Sequence, residues 1–71
     1  MGGDFVSGWD TTYNNALRLF NNAVGYDNLN AKTSNLRQAL GAANMLPDDY
    51  NGKSQLISDI ENYAYKCGID L

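Results

Sequence analysis

The 71-residue sequence contains no histidine and only one cysteine. Without histidine, the chain lacks the side chain that most often acts as a general base or as a neutral metal ligand. Cys67 alone cannot form a disulfide within one chain, which fits a reducing compartment and predicts a cytoplasmic location. These absences predict that the protein is not an enzyme and that it carries no metal or cofactor.

Long apolar runs are absent as well. No segment reaches the roughly 18 apolar residues that indicate a transmembrane helix, and no basic stretch precedes an apolar run as in a signal peptide. The opening MGGDFV begins like a myristoylation signal, but Val6 stands where serine or threonine is required. No membrane partner is therefore expected.

Motifs for binding phosphate, zinc or calcium are missing too. The sequence has no glycine-rich phosphate loop and no cysteine–histidine spacing typical of zinc sites. Asp48, Asp49 and Asn51 before Gly52 resemble part of a calcium loop, yet Ser58 occupies the position of its essential glutamate. A turn followed by a helix cap explains these residues better.

Basic residues are few and scattered along a chain whose net charge is −3. A nucleic-acid interface needs clustered cations that contact phosphates, and no such stripe is present. The second and third predicted helices could form a helix-turn-helix pair, but their connection exceeds the usual three or four residues. Asp59 and Glu61 would also repel DNA. Nucleic acid is therefore disfavoured as a partner.

The stretch YNNALRLFNNAVGY shows the periodicity of an amphipathic helix. Six apolar side chains share one arc of roughly 100°, whereas two asparagine pairs fall on the shoulders of the opposite face. Asp10 is expected to cap the start of this helix, and Gly25 to end it in a left-handed conformation. The six are Trp9, Tyr13, Ala16, Leu17, Phe20 and Val24.

Two further segments have helical periodicity. In the second, Leu29, Leu36, Leu40 and Ala43 share a face; Asp27 or Asn28 would cap a long version of this helix and Thr33 or Ser34 a short one. Ala39, Ala42 and Ala43 would let a neighbouring helix come close. The third has Leu56, Ile57, Ile60, Tyr63, Ala64 and Cys67 on one face, with Asn51 or Ser54 as alternative caps.

The ends of the second and third segments also carry signals. Gly68 should stop the third helix, with Ile69 packing back onto its last turn in a Schellman motif. Pro47 disfavours helical geometry at Leu46 and could open a single turn in the connection between the two helices. The connections are short, and no second domain is visible.

These patterns predict an all-α, single-domain protein, a small three-helix bundle with helices at about residues 10–24, 29–43 and 52–67. Residues 1–8 are expected to form a flexible leader, and residues 9–71 the helical domain. Cys67 is expected to be buried and unreactive. The predicted core comprises Trp9, Tyr13, Leu17, Phe20, Val24, Leu36, Leu40, Leu56, Ile60, Tyr63 and Cys67.

Two surfaces are candidates for recognition. On the third helix, Tyr65 should project away from the core, with Asp59, Glu61 and Asn62 as a polar rim around an aromatic anchor. On the first helix, Asn14, Arg18, Asn21 and Asn22 form a second candidate face. Ordinary solvated surface remains an alternative interpretation of both, and codon bias alone could explain the ten asparagines.

The sequence favours a non-enzymatic protein-protein interaction module, a candidate inhibitor or regulator of a larger protein. Small acidic helical proteins of this composition are common products of phages and mobile elements. The alternative is a dimeric, DNA-associated transcription regulator, and a third option is a structural or assembly component. A monomer or a weak homodimer is expected.

Overall fold

The computed structural model describes residues 8–71 and contains three α-helices in that range: α1 (Gly8–Gly25), α2 (Leu29–Asn44) and α3 (Lys53–Lys66). The contact between α1 and α2 is the most extensive, the contact between α2 and α3 is smaller, and α3 touches α1 least. The predicted all-α three-helix bundle is confirmed. Gly8 already belongs to α1, and the rest of the predicted leader, residues 1–7, lies outside the described residues.

Alanine dominates the fully buried core. Because the alanine side chain is a single methyl group, helices that meet through it can approach closely, and larger side chains fill the margins of the contact. The expected burial of Leu36, Leu56 and Ile60 is confirmed, while Tyr13 and Phe20 are partly buried against them. The buried residues are Ala16, Ala23, Leu36, Ala39, Ala43, Leu46, Leu56, Ile60 and Ala64.

Helix α1 presents a different face to the core from the one expected. Trp9 and Val24 are 40% and 48% exposed, so their assignment to the core was wrong. Ala16, which belongs to the predicted face, and Ala23, which does not, are buried, and Leu19, which is absent from the predicted core, packs against the buried residues. At 100° per residue, the buried face is turned by roughly 60° from the predicted one. The helices pack most closely where the side chains of α1 are small, so the bulky side chains lie beside this contact.

Two other residues expected on apolar faces also differ. Leu29, the first residue of α2, is 57% exposed rather than part of the buried face. Cys67 is half-buried and lies immediately after α3, as the C-cap residue of that helix. The buried stripe of α3 ends one turn earlier, at Ala64, so the expectation of a buried Cys67 was wrong.

Two of the predicted helix ends are confirmed. The Asn28 side chain accepts a hydrogen bond from the Ala31 N–H at 3.1 Å, which caps the long version of α2. Gly68 adopts a left-handed φ of 71°, and the Ile69 N–H donates to the Ala64 carbonyl at 2.8 Å. This Schellman motif ends α3 and folds Ile69 back against the core.

Three predicted caps are wrong. Asp10 lies inside the first turn of α1, which begins at Gly8. Gly25 is the last residue of α1, but its φ is not positive. Gly52, with φ 98°, precedes α3 in place of Asn51 or Ser54. A Cβ at Gly52 would lie 3.2 Å from the Tyr13 hydroxyl oxygen, so only glycine suits both the backbone and the space.

The connection between α2 and α3 is held by Lys53. Its ammonium group donates to the Leu46 carbonyl at 2.7 Å and to the Asp48 carboxylate at 3.1 Å, and its side chain is only 13% exposed. Pro47 opens a single turn as predicted, because the Tyr50 N–H donates to the Pro47 carbonyl at 2.9 Å. These contacts fix the position from which α3 starts.

Candidate protein-interaction site

A groove of about 290 Å³ lies at the C-terminal half of α3, beside α2. Ala64 at its lining is buried, and Tyr65 is 86% exposed, the most exposed large apolar side chain among residues 8–71. Among residues 8–71, Glu61 is the only charged residue that lines the groove. The lining residues are Leu40, Glu61, Ala64, Tyr65, Ile69 and Leu71. We refer to these six residues as the α3 groove.

The chain reversal after α3 creates this groove. The left-handed Gly68 turns the backbone so that Ile69 and then Leu71 come to lie along the helix that precedes them. Glu61 and Tyr65 are four residues apart and therefore neighbours on one flank of α3. Leu40 contributes an apolar wall from α2. The groove combines a mainly apolar lining with one carboxylate and one phenol.

The structure divides the four residues of the first candidate surface. Glu61 and Tyr65 line the α3 groove, as described above. Asp59 lies about 160° from Glu61 around the helix axis and accepts a hydrogen bond from the Gln55 amide at 2.8 Å. Asn62 is exposed, with its amide 3.5 Å from the Ser58 hydroxyl. Neither Asp59 nor Asn62 lines the groove.

The second candidate surface forms an exposed polar face on α1. Asn14, Arg18, Asn21 and Asn22 are all exposed, as the helical periodicity indicated. The Arg18 guanidinium donates to the Asn15 side-chain oxygen at 3.4 Å, a contact within one turn of the helix. The face therefore offers hydrogen-bonding groups but little apolar surface.

Residues at the turn between α1 and α2 form an apolar patch that the sequence did not indicate. Val24, Tyr26 and Leu29 are 48%, 46% and 57% exposed. The helical periodicity had placed Val24 in the core and Leu29 on the apolar face of the second helix. The different buried face of α1 leaves Val24 at the surface, whereas Tyr26 lies in the turn and Leu29 is the first residue of α2.

Lys32 joins all three helices in a contact that the sequence also did not indicate. From α2, its ammonium group donates to the Ala23 and Val24 carbonyls of α1 at 3.1 and 3.3 Å. It donates as well to the Tyr63 hydroxyl of α3 at 2.8 Å and lies 5.3 Å from the centre of that ring. The last carbonyls of α1 thus bind a cation, which explains why Gly25 need not adopt a left-handed cap.

A tyrosine pair ties the start of α1 to the connection before α3. The Tyr50 hydroxyl donates a hydrogen bond to the Asp10 carboxylate, and the Tyr13 and Tyr50 rings lie 5.5 Å apart. The hydrogen bond to Asp10, together with burial and the nearby negative charge, raises the pKa of Tyr50 to about 12. The contact is structural in character, because both groups are engaged with each other.

Within the described range, the acidic and cysteine side chains form no group of three that could hold a metal ion. None of the three described helices is long and apolar enough to cross a lipid bilayer. The carboxylates are instead dispersed over the surface; Asp48, for example, pairs with Lys53.

No protein-family model matches the chain, and neither a curated protein nor a solved structure is detectably similar to it. Its function is therefore inferred from the surface and from the contacts of the described residues. Of these features, the α3 groove with the exposed Tyr65 has the clearest character of a binding site.

Proposed function

We propose that the protein is a non-enzymatic protein-protein interaction module that contacts its partner through the α3 groove. The observation that carries this proposal is the 86% exposure of Tyr65 at the margin of a groove with a mainly apolar lining. We further propose that the chain inhibits or regulates a larger protein in the cytoplasm, as a monomer or a weak homodimer.

The energetics of protein interfaces support this function. A tyrosine ring can bury a large apolar surface and still form a hydrogen bond, and it loses few rotatable bonds when it does so. Tyrosine is accordingly one of the residue types enriched among energetic hot spots. Tyr65 gains little from folding in its present position, so a partner would be the first to bury most of it.

We propose that the protein is not an enzyme because of the side chains that it contains and where they lie. The sequence has no histidine, and Asp59 and Glu61 point to different sides of α3. General acid–base chemistry requires titratable groups placed together around a reacting atom. Of the described residues that line the α3 groove, only Glu61 and Tyr65 have titratable side chains, and they are neighbours on one flank of the helix.

The DNA-associated alternative has less support. Lys32 and Lys53 direct their ammonium groups to carbonyls and side chains of the protein itself, which leaves Arg18, Arg37 and Lys66 as the exposed basic residues. The connection from Met45 to Gly52 is also longer than a helix-turn-helix turn. Phosphate contacts require exposed cations along one surface.

The test is partner binding with tyrosine variants matched in chemistry. Wild-type protein is used to capture a partner from the source organism, and the purified partner is then titrated by calorimetry. Tyr65→Ala should weaken binding by about 1–2 kcal/mol or more. Tyr26→Ala, which removes another exposed tyrosine outside the groove, should leave binding unchanged. If an Arg18 or Asn22 variant lost binding while Tyr65→Ala bound normally, the interface would lie on α1 instead.

A further inference from the structure

We infer that the α3 groove binds a partner segment in which one large apolar side chain is followed or preceded closely by a lysine or arginine. The inference rests on the proposed function and specifies the chemistry of the partner at that site. Its three supports are the volume of the groove, the sign of its charge and the spacing of Glu61 and Tyr65.

The volume of the groove suits a side chain rather than a cofactor. Sites for small molecules and cofactors usually enclose about 300–1,000 Å³, so about 290 Å³ lies at the lower limit. An apolar cavity of roughly 150 Å³ in a protein accommodates a benzene molecule. The α3 groove therefore holds one aromatic side chain or two aliphatic ones. Leu40, Ala64 and Ile69 supply the apolar surface that such a side chain would cover.

The negative charge around the groove favours a basic residue next to the apolar residue of the partner segment. Glu61 is exposed, and no basic residue within the described range 8–71 lines the groove. Asp70 lies between the two lining residues Ile69 and Leu71, which adds negative charge to the same end of the molecule. Lys66 is about 140° from Glu61 around α3, on another side of the helix. A segment with a carboxylate beside its apolar residue would meet repulsion here.

The spacing of Glu61 and Tyr65 allows both contacts at once. Residues four apart on a helix have Cβ atoms about 5–6 Å from each other. An apolar side chain can therefore pack against the Tyr65 ring while the adjacent lysine or arginine reaches the Glu61 carboxylate. A guanidinium could also lie over the exposed face of Tyr65, which attracts cations.

The test uses two synthetic amphipathic peptides with identical leucine positions. One carries lysine at every polar position, and the other carries glutamate there. Titration into ¹⁵N-labelled protein should shift amide signals of Glu61, Tyr65 and Ile69 for the leucine–lysine peptide only. Because exposed charges are screened by salt, the preference for this peptide should shrink as ionic strength rises.

Charge reversal on α3 provides the matched control. Glu61→Lys should weaken the binding of the leucine–lysine peptide by about tenfold and create binding of the leucine–glutamate peptide. Asp59→Lys makes the same change in net charge on the other side of α3, away from the groove, and should alter neither affinity by more than about twofold. If both variants reduced affinity equally, the attraction would be a general effect of net charge, and the inference would be wrong.

Two other outcomes would also overturn the inference. Failure of the leucine–lysine peptide to shift groove signals would refute the basic-apolar chemistry, while Tyr65-dependent binding of a native partner would still preserve the proposed function. Self-association of wild-type protein in sedimentation equilibrium, lost in Tyr65→Ala, would assign the groove to a second copy of the chain. Conversely, peptide binding together with Tyr65-independent binding of the native partner would refute the proposed function alone.

Discussion

The contact between α1 and α2 differs in construction from the attachment of α3. On the first side, Ala16 and Ala23 of α1 and Ala39 and Ala43 of α2 are fully buried. On the second, Leu56 and Ile60 supply bulk to the core, and the Phe20 and Tyr63 rings meet edge to face at 5.9 Å. Polar contacts from Lys32 and Tyr50 complete this side. Helices α1 and α2 are held together by the close approach of their backbones. Helix α3 is held by large side chains and specific polar contacts.

This difference determines which substitutions each region tolerates. Where alanines meet, there is no room to add a methylene group without moving a helix. Where large side chains fill the contact, removing them leaves a cavity that the surroundings fill only partly. The first region should therefore be sensitive to added volume, and the second to lost volume and lost hydrogen bonds.

Removal of volume under α3 should have the largest effect on stability. Ile60 is fully buried, so Ile60→Ala should lower the free energy of unfolding by about 2–5 kcal/mol, measured by urea denaturation. In a domain of this size, that is enough to abolish cooperative folding. Leu17→Ala, at a half-buried position of α1, should cost clearly less. Equal losses at the two positions would contradict the distinction between core and margin.

Added volume between α1 and α2 should have the next largest effect. Ala39 lies on the flank of α2 that also carries Lys32 and Ala43, and Lys32 reaches α1. Ala39→Leu should therefore lower the unfolding free energy by about 1–3 kcal/mol. Gly41→Ala adds a methyl group to the exposed side of the same helix, where nothing lies within 4 Å. That control should instead be neutral or stabilise by about 0.5–1 kcal/mol.

Loss of the Lys32 ammonium group should have an intermediate effect. Lys32→Met keeps most of the chain length but removes three hydrogen bonds, two of them to the last carbonyls of α1. We expect a loss of roughly 1–2 kcal/mol in thermal or urea unfolding. Arg37→Met, an exposed cation on the same helix, serves as the control and should stay within about 0.5 kcal/mol of wild type.

The hydrogen bond of Tyr50 should make the free energy of unfolding depend on pH. The folded-state pKa of Tyr50, about 12, lies above the ordinary value of 10.0, so the folded state favours the neutral phenol over the phenolate. Its contribution to stability is therefore complete below pH 10 and is lost as pH rises toward about 12. Urea unfolding at about pH 9 and about pH 11 should show the stability gap between wild type and Tyr50→Phe shrinking at the higher pH. Tyr26→Phe, at an exposed tyrosine, should stay within about 0.5 kcal/mol of wild type at about pH 9.

Local signals in the sequence proved sufficient where a structure depends on a few neighbouring residues. The Schellman end at Gly68 and Ile69 and the cap by Asn28 are of this kind, because their hydrogen bonds join residues no more than five apart in the chain. Gly25 carried the same local signal as Gly68, yet it ends α1 without a positive φ. Lys32, seven residues further on, binds the carbonyls that a left-handed glycine would otherwise help to satisfy.

The site was accessible from the sequence only in part, for a similar reason. The outward direction of Tyr65 follows from the helical period of α3 and could be predicted. The grouping of Asp59 with Glu61 ignored the turn of about 160° between them. The contribution of Leu40 depends on how α3 crosses α2, and that of Leu71 on the chain reversal after Gly68. The reversal at Gly68 was predicted, but the periodicity of one helix does not indicate the crossing of α3 and α2 or the position of Leu71 beside α3.

The smallest expected effect on stability belongs to the residue on which the proposed function depends most. Tyr63 and Tyr65 are two residues apart on α3 and differ in their surroundings. Tyr63 is partly buried, contacts Phe20 and accepts a hydrogen bond from Lys32, whereas Tyr65 is 86% exposed. Tyr63→Ala should therefore destabilise the fold markedly, while Tyr65→Ala should change the unfolding free energy by no more than about 0.5 kcal/mol.

Melting curves of these two variants, recorded beside partner titrations, separate folding from recognition. If Tyr65→Ala unfolds like wild type but binds its partner about tenfold more weakly, the ring serves binding and not the fold. A loss of stability in Tyr65→Ala comparable to that in Tyr63→Ala would mean that the ring already packs against the protein in solution. The α3 groove would then be closed by its own tyrosine, and the interface would have to be sought at the exposed apolar patch of Val24, Tyr26 and Leu29.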